Sequence, residues 1–271
     1  MTNKQLPVVL VFGGNDATGG AGLAADIQTL MSMGCYAAPV VTAVTVQDTI
    51  GVREFSAVDA DLVTAQARAV LEDMPVAAFK TGMLGTLANL AAVAALVQDY
   101  PEIPLVVDPV LTSGQGDPLI EGPFEEALRG LLLPQTTLLT PNSLEARRLA
   151  PGADSLDACA QELLSSGCVY VLVTGTHENS PRVINRLYGN HRLLETYTWE
   201  RLPENYHGSG CTLAAACAAT LAHGFDPVSA VAEAQDFTWH ALQSALRLGM
   251  GQLLPDRLYW ARNEDDEETH D

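Results

Sequence analysis

The stretch "VVLVFGGNDATGGAGLAADIQTLMSM", Val8–Met33, decides the fold. Its first five residues, Val8–Phe12, are apolar without polar alternation, as in a strand covered on both faces. Ten residues containing five glycines follow, Gly13–Gly22, and a helical pattern then runs from Ala21 to Met33. A buried strand, a glycine turn and a helix open a strand–helix–strand unit, which implies parallel pairing. The glycine run is neither GxGxxG followed by an acidic ribose-binding residue nor GxxxxGK[ST], so neither a dinucleotide site nor a Walker loop is expected. Its glycines let backbone approach a small ligand, or they form only a flexible turn. Asp26 either faces the same cleft or complements the helix dipole.

Outward from this unit the pattern repeats. Apolar runs at Ala38–Val46, Val76–Lys80, Leu105–Pro109, Thr137–Pro141 and Val169–Thr174 read as strands. Helical patterns stand at Asp59–Glu72, Leu87–Gln98, Phe124–Leu133 and Leu156–Ser165. The alternation predicts an α/β fold with a mostly parallel, doubly wound sheet. "RVINRLYGNHRLLETYTW", Arg182–Trp199, departs from it, with two strand-like runs around a hairpin at Gly189-Asn190. Helices over Gly210–Ala222 and Pro227–Leu248 close the chain. Residues 1–262 thus read as one domain, and the acidic 263–271 as a frayed, solvated tail.

With 48% hydrophobic and 17% charged residues in 271, a large core is available and intrinsic disorder is not expected. The net charge of −19 argues against nucleic acid and anionic membranes as partners. It fits a high-salt habitat and an ordinary acidic protein equally well. Five cysteines without a CxxC pair suit a reducing compartment, and no apolar run reaches membrane-spanning length, so a cytoplasmic protein is expected. The six histidines show no metal-ligand spacing.

In open α/β sheets ligands bind beyond the carboxyl ends of strands. Five strands are followed there by "GGNDATGGAG", "QDT", "TGMLGT", "DPVLTSGQGD" and "PNSLE", all small, polar or glycine-rich. Asp108, at a strand end among apolar neighbours, needs a partner, whether a metal, a phosphate-bound metal water or nearby N–H groups. Asn142 and Glu145 have the spacing of a capping box, and alternatively order Mg²⁺ waters near a phosphate. The sharpest feature is "HGSGCT", His207–Thr212, opening an Ala-rich helix. Backbone N–H groups of Gly208, Ser209 and Gly210 can hold a phosphoryl group in transfer. Cys211, in the first turn, is expected to have a lowered thiol pKa and to act as a base, or else to be a small buried residue. Cys217 reads as packing.

Together "GGAGLAADIQTL", "TAVTVQDTIGV", "KTGMLGT", "VVDPVLTSGQGDPL", "LLTPNSLEA" and "HGSGCTLAAACAA" resemble the hydroxymethylpyrimidine/phosphomethylpyrimidine kinases of thiamine biosynthesis, within the ribokinase-like superfamily. The resemblance runs from about Val8 to about Leu248. It implies a three-layer α/β/α sandwich, usually homodimeric, that uses ATP and Mg²⁺. It also implies two phosphorylations, of 4-amino-5-hydroxymethyl-2-methylpyrimidine and of its monophosphate. Carried over, the pyrimidine pocket comprises Gly14, Ala21, Asp26, Gln47, Met83 and Val110. Asp108, Asn142, Glu145 and Thr174 lie by the ATP phosphates, with Asp108 and Glu145 reaching the metal through water. Gly208, Ser209 and Gly210 form the anion hole, and Cys211 stands where related sugar kinases carry an aspartate base. Lysines usual in the family are replaced by Gly114, Thr174 and Gln235. A pyridoxal kinase-like enzyme and a catalytically weak pyrimidine-binding protein are the rival readings.

Overall fold

The computed structural model describes residues 6–111 and 123–262. The expected tail and the Gly114 position lie outside them. One nine-stranded sheet runs through the protein in the order β3-β2-β1-β4-β5-β6-β7-β8-β9. β1 (Val8–Asn15), β2 (Tyr36–Gln47), β4 (Val76–Thr81), β5 (Leu105–Val107), β6 (Leu138–Leu139) and β7 (Tyr170–Val173) pair in parallel. β3 (Val52–Ala57), β8 (Arg182–Gly189) and β9 (Arg192–Glu200) are added by antiparallel pairing.

Helices cover both faces. α1 (Gly22–Ser32), α7 (Ser209–Ala222) and α8 (Pro227–Gln243) pack against Val9, Val11, Ala78, Val106 and Leu138. On the other face Leu10, Phe12, Phe79, Leu105 and Leu139 meet α2 (Ala60–Asp73), α3 (Leu87–Gln98), α5 (Ser143–Leu149) and α6 (Leu156–Ser165). Alternate residues of each central strand thus enter opposite cores, and this is why those strands are continuously apolar. α7 lies close to the sheet because its buried face is mostly alanine, Ala214–Ala216 with Ala218 and Ala219.

Four expectations are corrected. Arg53–Ser56 falls outside the expected strands, yet β3 pairs with the end of β2. Its two charged residues belong to an edge strand, where solvent takes that face. The hairpin turn is Asn190-His191, one residue later than expected, with φ of 50° and 54°. Two left-handed residues make the turn whose twist suits a two-residue hairpin. The helix expected over Phe124–Leu133 is α4 (Phe124–Ala127) followed by a π turn at Leu128–Leu132 and a 3-10 turn at Leu133–Gln135. α8 stops at Gln243, five residues short of Leu248, and a short α9 (Tyr259–Arg262) follows.

The chain lays β2 on one side of β1 and β4 on the other, so the strand order reverses at β1. A crevice opens at such a point beyond the carboxyl ends of the strands.

Candidate active site

That crevice has an apolar wall. Met83 packs with Ala43, Val52, Phe55 and Val110. Gly14 completes the wall: a Cβ there would stand 3.3 Å from the Met83 sulfur. Gln47 sits at its edge, half-buried at the end of β2 where the register with β3 shifts. Gly14, Met83 and Val110 thus share one wall, and Gln47 is the strand partner of Val52 in that wall. The 82–86 loop is held by Asn89, whose amide donates to the carbonyls of Leu84 at 2.9 Å and Thr42 at 3.2 Å.

Asp26 takes another place. It is fully buried beneath the glycine loop, with both carboxylate oxygens on the Lys80 ammonium at 2.9 and 3.0 Å. Burial pushes Asp26 up to about 6 against the pull of Lys80. Burial alone lowers an ammonium, but Asp26, Cys211 and Asp108 together hold Lys80 above the usual lysine value. At neutral pH the two form a buried ion pair, so Asp26 anchors a cation rather than lining the apolar wall.

The helix start expected to hold an anion lies where α7 meets this loop. Gly208 has φ +81°, and a Cβ on it would lie 1.9 Å from the Gly20 carbonyl oxygen. Only glycine lets the backbone approach so closely there. The first intrahelical bond runs from Thr212 N–H to the Gly208 carbonyl at 2.9 Å. The N–H groups of Ser209, Gly210 and Cys211 precede it, as at any helix start. Gly210 is exposed, and its Cβ position lies 3.9 Å from Asp108 Oδ1. Ala21, expected in the pyrimidine pocket, lies on this side: it caps α1 and lies against Gly208.

Cys211 is half-buried, and it lies close to Asp108 and Gly22. Burial, followed by the nearby carboxylates, pushes the thiol up to about 12 despite Lys80. This corrects the expected lowering. A helix start favours a thiolate, but desolvation beside Asp108 and Asp26 outweighs it, and the group is a neutral thiol at neutral pH.

Asp108 is held above the ordinary carboxyl range by burial, with Lys80 and Cys211 opposing. Its Oδ2 is buried and makes no hydrogen bond. Burial and then the charge of Asp108 push Glu145 up to about 8. Two buried carboxyls that repel one another, one with an orphaned oxygen, fit a divalent cation held partly through water. Among the described residues no three His, Cys, Asp or Glu side chains converge to ligate a metal directly. Asn142 is occupied structurally: its Oδ1 accepts from Leu144 and Glu145 N–H at 2.9 Å, and Glu145 Oε2 accepts from Asn142 N–H at 3.0 Å. The capping box is real, and it also aims Glu145 at the cluster. Thr174 bridges Asn142 at the end of β7. Gln235 is buried, accepting from Asn185 at 2.8 Å and Trp199 at 3.1 Å. Asn185 in turn accepts from Gly175 N–H at 3.0 Å, so a neutral network stands behind this strand end.

Two features were missed in the sequence. Asp16 accepts from the N–H groups of Thr18 and Ala21 at 2.8 Å and is bonded to His207 at 2.8 Å, tying the glycine loop to the anion-hole entrance. These bonds hold Asp16 below its usual value although burial opposes them. Its signal was Asp16-x-Thr18, an aspartate two residues before a hydroxyl, as in a tight turn. Arg257 is 2% exposed and donates to the Gly20 carbonyl at 2.6 Å and to Thr212 Oγ1 at 3.0 Å. No local pattern marked it.

The sequence model of the family described as phosphomethylpyrimidine kinase matches residues 16–256. A hydroxymethylpyrimidine/phosphomethylpyrimidine kinase of Mycobacterium tuberculosis is 42% identical over 252 residues, covering 90% of this chain and 91% of the relative. The pyridoxal kinase of Staphylococcus aureus in complex with AMP-PCP and pyridoxal superposes with a TM-score of 0.85 at 27% identity, over 95% of this chain and 96% of that one. A phosphomethylpyrimidine kinase from Clostridium difficile gives 0.75 at 29% identity, over 86% and 98%.

Proposed function

The chain belongs to the phosphomethylpyrimidine kinase family, and from that premise we infer its reaction and how its residues carry it. It transfers the γ-phosphoryl group of ATP to 4-amino-5-hydroxymethyl-2-methylpyrimidine, and then to the resulting monophosphate, in thiamine diphosphate biosynthesis. The observation that carries the reading is the junction of an apolar pocket with a helix start and a buried carboxylate pair at one strand reversal.

In this reading the pyrimidine ring lies against Met83, Val110 and Gly14, and the Gln47 amide pairs with a ring nitrogen and the exocyclic amine. Its hydroxymethyl group points toward Cys211. The N–H groups of Ser209, Gly210 and Cys211 receive the phosphoryl oxygens. Transfer proceeds through a loose transition state, so placement and charge neutralisation dominate over base strength. A neutral thiol therefore suffices: Cys211 accepts the hydroxyl proton as it passes its own to Asp108. Asp108 and Glu145 would hold Mg²⁺ through water, and the ion would supply positive charge against that of the phosphates. Lys80 contributes a fixed positive charge behind the cluster, in a place where it is shielded from solvent.

Val44 and Val46, exposed beside the β2–β3 hairpin, favour a homodimer that covers them, which sedimentation analysis tests. Five free cysteines favour a reducing, cytoplasmic setting. No helix among the described residues is long and apolar enough to cross a membrane.

The deciding experiment follows ADP, monophosphate and diphosphate with the hydroxymethylpyrimidine and with pyridoxal as rival acceptors. Sequential appearance of both pyrimidine phosphates is expected. Turnover confined to pyridoxal would move the protein to the activity of its structural neighbours.

A further inference from the structure

Between α8 and α9 the chain folds into a loop that meets the β2–β3 turn. Leu246 and Leu254 close its base by two backbone bonds at 2.8 and 3.0 Å. Its tip rests on Thr49, in the β2–β3 turn two residues beyond Gln47. Gly251 N–H donates to Thr49 Oγ1 at 3.0 Å, and Gln252 N–H donates to the Thr49 carbonyl at 2.9 Å. The approach needs two glycines. A Cβ on Gly249 would lie 2.3 Å from Thr49 Oγ1, and one on Gly251 would lie 2.1 Å from the Thr49 carbonyl oxygen. Neither glycine has left-handed backbone, so space alone excludes a side chain.

The same loop grips the other half of the site. Leu253 N–H donates to the Asn205 carbonyl and His207 N–H to the Leu253 carbonyl, both at 2.9 Å. It therefore bridges the turn that carries Gln47 to the segment that enters Gly208. β2 is fixed to β1 up to Thr45, whose hydroxyl donates to the Asn15 carbonyl at 2.9 Å. Beyond that point β2 continues paired with β3 as far as Gln47, and an open cleft of about 420 Å³, lined in part by Thr49, Glu204, Asn205 and Gln252, lies beside the turn.

We propose that this loop is a positioning element for the pyrimidine: Gly249 and Gly251, seated on Thr49, fix the β2–β3 turn and with it the Gln47 amide. The inference rests on the kinase reading above and on Gln47 as a pyrimidine contact. It assigns the loop to substrate affinity and not to phosphoryl transfer.

The test is a double-mutant cycle with Gly249→Ala and Thr49→Gly. Gly249→Ala raises the pyrimidine KM about fivefold or more, since misplaced polar partners weaken a hydrogen-bonded substrate. It leaves kcat and the ATP KM within about twofold, a split that general loss of structure does not produce. A Thr49→Gly background removes the three Thr49 atoms that the added methyl meets, so Gly249→Ala then changes the pyrimidine KM by less than about twofold. An unchanged KM in Gly249→Ala, a fall in kcat instead, or the same KM rise in both backgrounds overturns the proposal. If Gly249→Ala melts below assay temperature, Thr49→Gly alone carries the test through its loss of the Oγ1 contact, and wild-type KM there overturns it. Wild-type turnover of the pyrimidine, measured alongside, separates failure of this proposal from failure of the kinase reading.

Discussion

Gly208→Ala tests whether the anion hole depends on close contact with the glycine loop. Two separate costs arise. A left-handed φ of +81° strains any residue with a Cβ, by roughly 1–2 kcal/mol. The new methyl also lies 1.9 Å from the Gly20 oxygen. Carbon and carbonyl oxygen tolerate about 3.3 Å, so the two backbones must part by roughly 1.4 Å. Gly20 cannot yield freely, because Arg257 holds the same oxygen at 2.6 Å. The start of α7 therefore moves, and about 1 Å of misplacement lowers a rate about 100-fold. Gly224→Ala provides the control, with φ +84° and nothing within 4 Å of the added methyl. It carries the strain without the collision. The assay follows ADP release at saturating ATP and pyrimidine, with thermal melting of both variants. We expect kcat to fall about 100-fold in Gly208→Ala and to stay within about twofold in Gly224→Ala, which loses only stability. A Gly208→Ala enzyme with the kcat of the Gly224→Ala control would refute the reasoning.

Other outcomes follow from the same geometry. Cys211→Ala lowers kcat at least about tenfold with pyrimidine affinity nearly intact, whereas Cys211→Ser, which keeps a proton to pass to Asp108, retains most of the rate. An alanine variant with full turnover reduces Cys211 to packing. Gln47→Ala raises the pyrimidine KM more than it lowers kcat, and no change in either removes Gln47 from the pocket. Glu145, pushed up to about 8, keeps its proton in the folded state where the unfolded chain loses it near 4.5. Its contribution to stability is thus full below about 4.5 and is lost as pH rises through 8, at up to about 1.4 kcal/mol per pH unit. Calorimetric melting between pH 6.5 and 8, above the titration of Asp26 at about 6, should show a falling Tm that Glu145→Gln flattens and excess Mg²⁺ lessens. Equal slopes for wild type and variant would remove Glu145 from the cluster.

The parallel sheet was legible because its strands are buried on both faces, which leaves unbroken apolar runs such as Val8–Phe12. The start of α5 was legible in the capping-box spacing of Asn142 and Glu145. β3 was not, since an edge strand with Arg53 and Glu54 has the composition of a loop. Within the site, residues next to strand ends announced themselves: Gly14 lies against Met83, and Asp108 lies beside Gly210 at the start of α7. What stayed hidden depends on contacts distant in sequence. Arg257 is 237 residues from Gly20, and the value of that contact is invisible until the fold closes it. The thiol of Cys211 was misjudged for the same reason. Its position in the helix is local information, but its desolvation by Asp108 and Asp26 is not.

The neutral network at Gln235 has a kinetic consequence. Where the family resemblance implies lysines, this chain has Thr174 and, in Gln235, an amide already engaged with Asn185 and Trp199. ATP, a polyanion, then approaches a protein of net charge −19 without those attractive points. Long-range repulsion slows their encounter, and dissolved ions screen it over about 10 Å at 0.1 M. Nucleotide capture should therefore quicken as salt is added, the reverse of the usual trend for an anionic substrate steered by lysines. Complexation by a divalent ion before arrival would remove part of that charge and ease entry.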